Sequence, residues 1–106
     1  MKLLLVTIIE YISSGSHPDW VRCRFEDVHG RLWSIFEKVP VVTPHGFDET
    51  TPLPHPAYVA VVVLKTYLDA QGREVATVDT DRIWGIESED GVSVFDVFYT
   101  QLVEEV

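Results

Sequence analysis

The sequence predicts an all-β domain, a small antiparallel barrel of six or seven strands, with a two-sheet sandwich as the alternative. The first observation behind this is a turn pattern, D-x-x-G-R, at residues 27–31 and again at residues 69–73. Aspartate favours the first position of a type I turn, and glycine three residues later supplies the positive φ that closes a hairpin with a bulge. Apolar and polar residues also alternate beside these turns, and no segment keeps a helical period over ten residues.

Residues 2–12 are predicted to form the first strand, because their apolar run is too short to span a bilayer and fits a strand buried on both faces. A signal peptide is the alternative interpretation of this run. Glu10 and Tyr11 interrupt it, however, and no small-residue cleavage site follows. We therefore expect a strand here and no interaction with a membrane.

The second and third strands are predicted at residues 20–27 and 31–39, on either side of the first turn. The second strand alternates, so that one face carries Val21, Cys23 and Phe25 and the other carries Trp20, Arg22 and Arg24. Pro40 cannot donate to a ladder and ends the third strand. The arginines that follow the turn glycines, Arg31 and Arg73, are expected to pair with acidic cross-strand neighbours.

Five prolines lie in a long loop over residues 40–56, and a loop of this length in a compact domain is usually functional or mobile. Beyond the loop, strands are predicted at residues 57–69, 73–80, 83–88 and 92–99. The first of these contains an apolar run that favours a central strand buried on both faces. The tail, residues 101–106, is expected to add a helical turn or to fray.

The composition is that of one globular domain over residues 1–106, with 46% apolar residues and a formal net charge of −9. Residues 1–50 carry five Lys/Arg against seven Asp/Glu, and residues 51–106 carry three against ten. Such a surface repels phosphate backbones, which argues against nucleic-acid binding and favours a basic protein partner. Acidic charge that only keeps the protein soluble is the alternative. The single cysteine, Cys23, excludes an internal disulfide and fits a reducing cytoplasm.

The long loop carries the first candidate binding site. Two imidazoles and two carboxylates lie within eleven residues, together with a phenylalanine: His45, Phe47, Asp48, Glu49 and His55. These groups could coordinate zinc, but their spacing matches no strong metal motif and no cysteine is near them in sequence. We therefore predict no metal and no cofactor, and treat these residues as candidates for partner or ligand binding, with a solvated polar loop as the alternative.

Trp20, Arg22 and Arg24 form the second candidate. If their face of the strand is exterior, one aromatic ring and two guanidinium groups make an amphipathic patch of the kind enriched at protein interfaces. The alternative is that Trp20, like Trp33 and Trp84, belongs to the core, since burial is the commoner state of tryptophan.

The sequence shows no catalytic constellation. The two arginines beside Cys23 point to the opposite face of the strand, so the thiol is expected to be a buried hydrophobe rather than a nucleophile. No G-x-S-x-G elbow and no phosphate-binding glycine pattern occurs. Glu87, Glu89 and Asp90 crowd a predicted hairpin tip, where carboxylates are solvated. We therefore predict no catalytic residue and favour a non-catalytic protein over an enzyme.

Residues 30–43 read GRLWSIFEKVPVVT, and the segment around them resembles a group of small uncharacterised bacterial all-β proteins. The shared features are a D-x-x-G hairpin and the E-K-V-P-V-V-T run that follows it, over residues 20–43 with an extension to residues 84–91. No activity, cofactor or binding residue is known for that group, so the resemblance implies none. It does imply a bacterial, cytoplasmic setting.

The leading functional hypothesis is a non-catalytic binding module, specifically an acidic inhibitor or immunity-type protein that masks a basic enzyme. The alternative is a barrel that binds a small molecule or a metal, with the loop over residues 40–56 lying across its mouth and His45 or His55 reaching the ligand. An enzyme that uses the same histidines ranks last, because nothing in the sequence orients a base or a nucleophile.

Overall fold

The computed structural model of the chain describes residues 1–13, 15, 18–43 and 46–105. The strands in these residues are β1 (Lys2–Ile12), β2 (Trp20–Glu26), β3 (Leu32–Lys38), β4 (His55–Leu68), β5 (Glu74–Asp79), β6 (Val94–Phe98) and β7 (Leu102–Glu104). Helical turns α1 (Val39–Val42) and α2 (Asp81–Trp84) follow β3 and β5, and a 3₁₀ turn at Tyr99–Gln101 joins β6 to β7. Among the residues described, no helix is long and apolar enough to cross a membrane.

The strands form an antiparallel sheet in the order β3-β2-β1-β4-β5-β6, and β7 pairs with the first residues of β1. The sheet is strongly curled and forms a half-barrel. Strand β4 is long enough to change partners, because it pairs with β1 as far as Val61 and with β5 from Val62 onward. A register shift between Val63 and Lys65 lies just beyond this change, where a bulge increases the local twist. The predicted antiparallel fold of six or seven strands is confirmed, and the sandwich alternative is not adopted.

The far ends of the sheet meet through aromatic side chains in the core. Phe95 of β6 packs edge-on against Phe25 of β2 and Trp33 of β3, with ring centroids 5.0 Å apart in both pairs. A backbone bond of 3.0 Å from Val28 N–H to Asp96 O reinforces this contact. Because these strands lie at opposite ends of the strand order, apolar packing rather than strand pairing keeps the sheet curled.

Both D-x-x-G-R turns form as predicted, and residues 88–92 form a third turn of the same geometry. In the first turn, Gly30 has a φ of +79° and its N–H donates to Asp27 O at 3.1 Å. The equivalent bonds from Gly72 and Gly91 measure 3.0 and 2.9 Å, and both glycines have a φ of +78°. Three turns therefore share the same backbone geometry, and the first two of them close hairpins.

The arginine after each of the first two turn glycines lies over an aromatic ring. The guanidinium of Arg31 is 3.8 Å from the ring centroid of Trp33, and that of Arg73 is 4.5 Å from the ring centroid of Phe98. The predicted cross-strand ion pair is wrong for Arg31, which pairs with Asp90 of the third turn at 3.2 Å. Arg73 does pair with the acidic residue opposite it across its hairpin, Asp69, at 2.8 Å.

The strand predicted at residues 83–88 is wrong, because α2 begins two residues earlier. Asp79 Oδ1 accepts the N–H of Asp81 at 2.8 Å, which turns the chain out of β5. Gly85, with a φ of +66°, then ends the helical turn and donates to Asp81 O at 2.8 Å. Trp84 consequently lies on the surface, with 41% of its area exposed, whereas Trp33 is buried as expected.

The prediction that the tail adds a helical turn or frays is wrong for residues 102–104, which form β7. The 3₁₀ turn before β7 is held by Gln101, whose Oε1 accepts the N–H of Phe98 at 2.8 Å. Its Nε2 donates to Glu26 O at 2.9 Å and so ties this turn to the end of β2. Val106 lies outside the described residues.

Candidate functional site

A groove of about 670 Å³ opens between β1, β4, both helical turns and the C-terminal tail. Among the residues described, its lining is largely apolar, with the Tyr58 hydroxyl and the Glu105 carboxylate as polar groups, and consists of Leu3, Pro40, Val41, Val42, Tyr58, Trp84 and Glu105. Small-molecule sites in proteins occupy roughly 300–1,000 Å³ and are lined mainly by apolar and aromatic side chains. The groove therefore has the size and the chemistry of a binding site for a largely apolar ligand.

Two strand residues of the groove lie on the sheet face that points away from the core. Leu4 and Val59 are paired across β1 and β4, and both are fully buried. Because successive side chains alternate between the two faces of a strand, Leu3 and Tyr58 face the other way. The groove thus lies on the face of β1 and β4 that points away from the core.

The helical turn α2 holds Trp84 at the groove without burying it. Thr80 Oγ1 donates to Ile86 O at 2.6 Å across the turn, and Ile86 itself is buried in the core. Arg82 Nε donates to Asp79 Oδ2 at 3.2 Å and ties the turn back to β5. The anchors on both sides of α2 leave Trp84 exposed in a fixed position, and exposed tryptophans are enriched among residues that dominate binding energies.

The helical turn α1 forms the other wall. Val39 N–H donates to Asp19 O at 3.0 Å, and Thr43 N–H donates to Val39 O at 3.1 Å. Val42 is buried against the core and anchors the turn. Pro40 has a fixed φ, which limits the movement of this wall, and it lines the groove at the start of the long loop.

The described residues of the predicted loop site lie near Tyr11 and do not line the groove. Phe47 packs between Tyr11 and His55, with ring centroids 6.0 and 5.3 Å apart. His55 Nδ1 contacts Pro56 O at 2.7 Å. His45 lies outside the described residues. Within the part of the chain that the structure describes, no three His, Cys, Asp or Glu side chains gather where they could hold a metal.

The two loop carboxylates are engaged locally or exposed. The Thr50 hydroxyl and backbone N–H both donate to Asp48, and these bonds lower the pKa of that carboxyl. Glu49 is exposed. Tyr11 donates to Asp19, and this bond raises the pKa of Tyr11 to about 12, with burial and the charges of the neighbouring carboxylates acting in the same direction. Tyr11, Asp19, Asp48 and Glu49 do not line the groove.

Trp20, Arg22 and Arg24 lie on the outer face of β2, opposite the buried side chains of that strand. Trp20 stacks on Phe36 of β3, with ring centroids 4.8 Å apart and ring planes 12° apart. Arg22 pairs with two carboxylates at 2.9 and 3.0 Å, so its charge is compensated within the protein. Arg24 is exposed. The patch is therefore a flat aromatic pair beside guanidinium groups, and it is separate from the groove.

Cys23 is fully buried on the inner face of β2, as predicted. Burial, with a smaller contribution from the charge of Glu37, raises the pKa of its thiol to about 12. A thiol that stays protonated at neutral pH and has no access to solvent cannot act as a nucleophile.

The groove residues Trp84 and Glu105 were not singled out by the sequence reasoning. The local signal for α2 is an aspartate that bonds to the backbone at the start of the turn and a glycine that ends it, Asp79 and Gly85. That signal spans few residues, and the β-type alternation of residues 83–88 favours a strand instead, so the sequence does not predict α2. Glu105 reaches the groove only because β7 pairs with β1, which no short-range pattern predicts.

Comparison of the chain with protein-family models, with curated proteins and with solved structures finds no significant match. The resemblance to small bacterial all-β proteins, and the bacterial and cytoplasmic setting that it implies, therefore stay predictions.

Proposed function

We propose that this protein is a non-catalytic binding module and that its ligand binds in the groove beside Trp84. The observation that carries the proposal is an exposed tryptophan on the anchored turn α2, at the edge of an apolar groove of about 670 Å³. Displacement of water from such a surface by an apolar ligand is favourable, and it lowers the free energy by about 25 cal/mol per Å² of apolar surface buried.

The position of the groove supports the small-molecule alternative raised by the sequence. Pro40, Val41 and Val42 belong to the start of the long loop, and they form one wall of the groove. Of the two predicted histidines, His55 does not line the groove, and His45 lies outside the described residues. The described part of the loop contributes apolar side chains to the groove.

The test uses N-phenyl-1-naphthylamine, an uncharged apolar dye whose fluorescence rises in apolar surroundings. We expect saturable binding with one dye per chain. Trp84→Ala should weaken it at least about tenfold, as truncation of a central anchor does. Trp20→Ala is the matched control, because Trp20 is also a partly exposed tryptophan but lies outside the groove. Absence of saturable binding, or equal weakening by both variants, would contradict the proposal.

The surface charge favours a second candidate, a basic protein partner. Five of the eight Lys and Arg side chains are held in ion pairs with the protein's own carboxylates, among them Arg22, Arg31 and Arg73. The seventeen Asp and Glu residues thus leave a strong negative excess. A surface of this kind accelerates association with a basic partner at low salt.

The basic-partner candidate is tested with a deca-arginine peptide as the probe. We expect a saturable complex whose association rate falls at least about tenfold between 50 and 500 mM NaCl, because screening shortens the reach of surface charge. An association rate that does not change with salt would refute electrostatic attraction as the basis of binding.

A further inference from the structure

We infer that the ligand of the groove is an organic cation, an amine carried on an apolar body, and that Glu105 pairs with its charge. This inference rests on the proposed function, since it names the chemical class of ligand for the same groove. It is carried by two aromatic rings and a carboxylate that line the groove beside aliphatic side chains in the described part of the chain: Trp84, Tyr58 and Glu105.

The protein places most of its own cations over aromatic rings. Six of the eight Lys and Arg side chains do so, with centroid distances of 3.8 to 5.8 Å: Lys2 over Tyr99, Arg22 over Phe36, Arg31 over Trp33, Lys38 over Trp20, Lys65 over Tyr67 and Arg73 over Phe98. In the described part of the chain, no cation lies over Trp84 or Tyr58. The groove is thus a place where exposed aromatic surface is left for a cation from outside.

Glu105 lies in the groove with its carboxylate uncommitted. Its backbone N–H donates to Met1 O at 2.9 Å, which fixes its position beside the start of β1. The neighbouring Glu104 takes both nearby cations, the Met1 amino group at 3.1 Å and Lys2 Nζ at 3.0 Å. Among the residues described, the side chain of Glu105 makes no ion pair, so it is available to a bound ammonium group.

The negative net charge of the whole protein also favours a cationic ligand. Residues 51–106, which include Tyr58, Trp84 and Glu105, carry ten acidic residues against three basic ones. A field of this sign raises the local concentration of cations and lowers that of anions. An anionic ligand of the same shape would be repelled both by this field and by the Glu105 carboxylate.

The inference is tested with three probes that share one skeleton and differ in charge. They are 4-phenylbutylamine, 4-phenylbutanol and 4-phenylbutyrate, titrated at pH 7 against ¹⁵N-labelled protein, with the amide signals of the groove residues as the readout. We expect the amine to bind about tenfold more tightly than the alcohol, a preference of the size that ring and carboxylate contacts give a cation. The carboxylate probe should bind most weakly.

Glu105→Gln should bring the affinity for the amine down to that for the alcohol and leave the alcohol unchanged. Glu87→Gln is the matched control: it removes the same charge from an exposed residue that does not line the groove, and it should retain the preference for the amine. The amide spectrum of each variant also reports whether its fold is intact.

The possible outcomes separate this inference from the proposed function. If amine and alcohol bind equally at the groove, the cation inference is overturned and the groove stands as a neutral apolar site. If both glutamine variants lose the preference equally, net charge rather than Glu105 is responsible, and the inference is again overturned. If no probe shifts any groove amide, the proposed function fails together with the inference.

Discussion

Asp27→Asn should destabilise this protein far more than the same change at Asp69, although the two residues begin identical turns. Asp27 Oδ1 accepts the backbone N–H groups of His29 and Arg31 at 2.8 and 3.0 Å. Its Oδ2 accepts the indole N–H of Trp33 at 2.8 Å. The carboxylate is only 9% exposed, and the tryptophan it holds packs in the aromatic core.

The cost follows from the hydrogen bonds that asparagine cannot make. An amide has one acceptor oxygen, so either orientation points its NH₂ at an N–H donor, the indole of Trp33 or the two backbone groups. The buried indole N–H loses a charge-assisted bond and is left without an acceptor. Together these losses amount to about 3 kcal/mol. For a domain of this size, we expect a fall in Tm of roughly 15 °C.

The same change at Asp69 should cost much less. Asp69 Oδ2 accepts Arg73 Nε at 2.8 Å, and that guanidinium is more than half exposed and can bond to water instead. The assay is urea denaturation of wild type, Asp27→Asn and Asp69→Asn, followed by near-ultraviolet circular dichroism. Equal losses of unfolding free energy in the two variants would refute the reasoning, because they would show that the turn and not the indole bond sets the cost.

The advantage of wild type over Asp27→Asn should depend on pH. Burial tends to raise the pKa of Asp27, but the N–H donors from Trp33, Arg31 and His29 outweigh it and lower the pKa below 3.8. A carboxyl with a lowered pKa stabilises the fold above its ordinary pKa, and this stabilisation is lost as the pH falls through the lowered value. The stability gap should therefore be constant from pH 5 to 7 and narrow below pH 3.8.

Three further outcomes are expected. Gly72→Ala should lower the free energy of unfolding by about 1 kcal/mol, because Gly72 has a φ of +78°. Gly46→Ala should cost little, because Gly46 also lies in open space but has no positive φ. Equal losses of unfolding free energy in urea denaturation would contradict this. Cys23 should resist iodoacetamide at pH 8 in the native protein and react once unfolded, as mass spectrometry would show; rapid native labelling would contradict its burial. The bond to Asp19 raises the pKa of Tyr11 to about 12, so Tyr11 should keep its proton at pH 11. Asp19→Asn should lower that pKa in a ¹³C tyrosine titration. The bond stabilises the fold below pH 10, and this stabilisation is lost as the pH rises towards 12. An unchanged Tyr11 pKa in the variant would be the contrary result.

The elements that the sequence predicted well are those with short-range signals. The alternation of β2 places Cys23 inside and Arg22 outside, and the turn glycines Gly30 and Gly72 have the positive φ that a bulged hairpin requires. Period-two patterning and turn chemistry act over a few residues, so a single sequence contains them in full.

The parts that could not be predicted depend on contacts between distant residues. Strand β7 exists because Leu102 and its neighbours pair with β1, almost a whole chain length away. Trp84 is expected in the core because burial is common for tryptophan, but the bond between Asp79 Oδ1 and Asp81 N–H turns the chain into α2, which lies at the surface. The groove joins both features, so neither its aromatic wall nor Glu105 could be located before the strand pairing was known.

The central claim, that the groove beside Trp84 is the ligand site, is tested most directly by isotope-filtered NOE spectroscopy. Labelled protein would be saturated with unlabelled 4-phenylbutylamine. We predict NOEs from the ligand to the methyl groups of Leu3 and Val41 and to the indole of Trp84. NOEs to the outer-face pair of Trp20 and Phe36, or none at saturation, would contradict the claim.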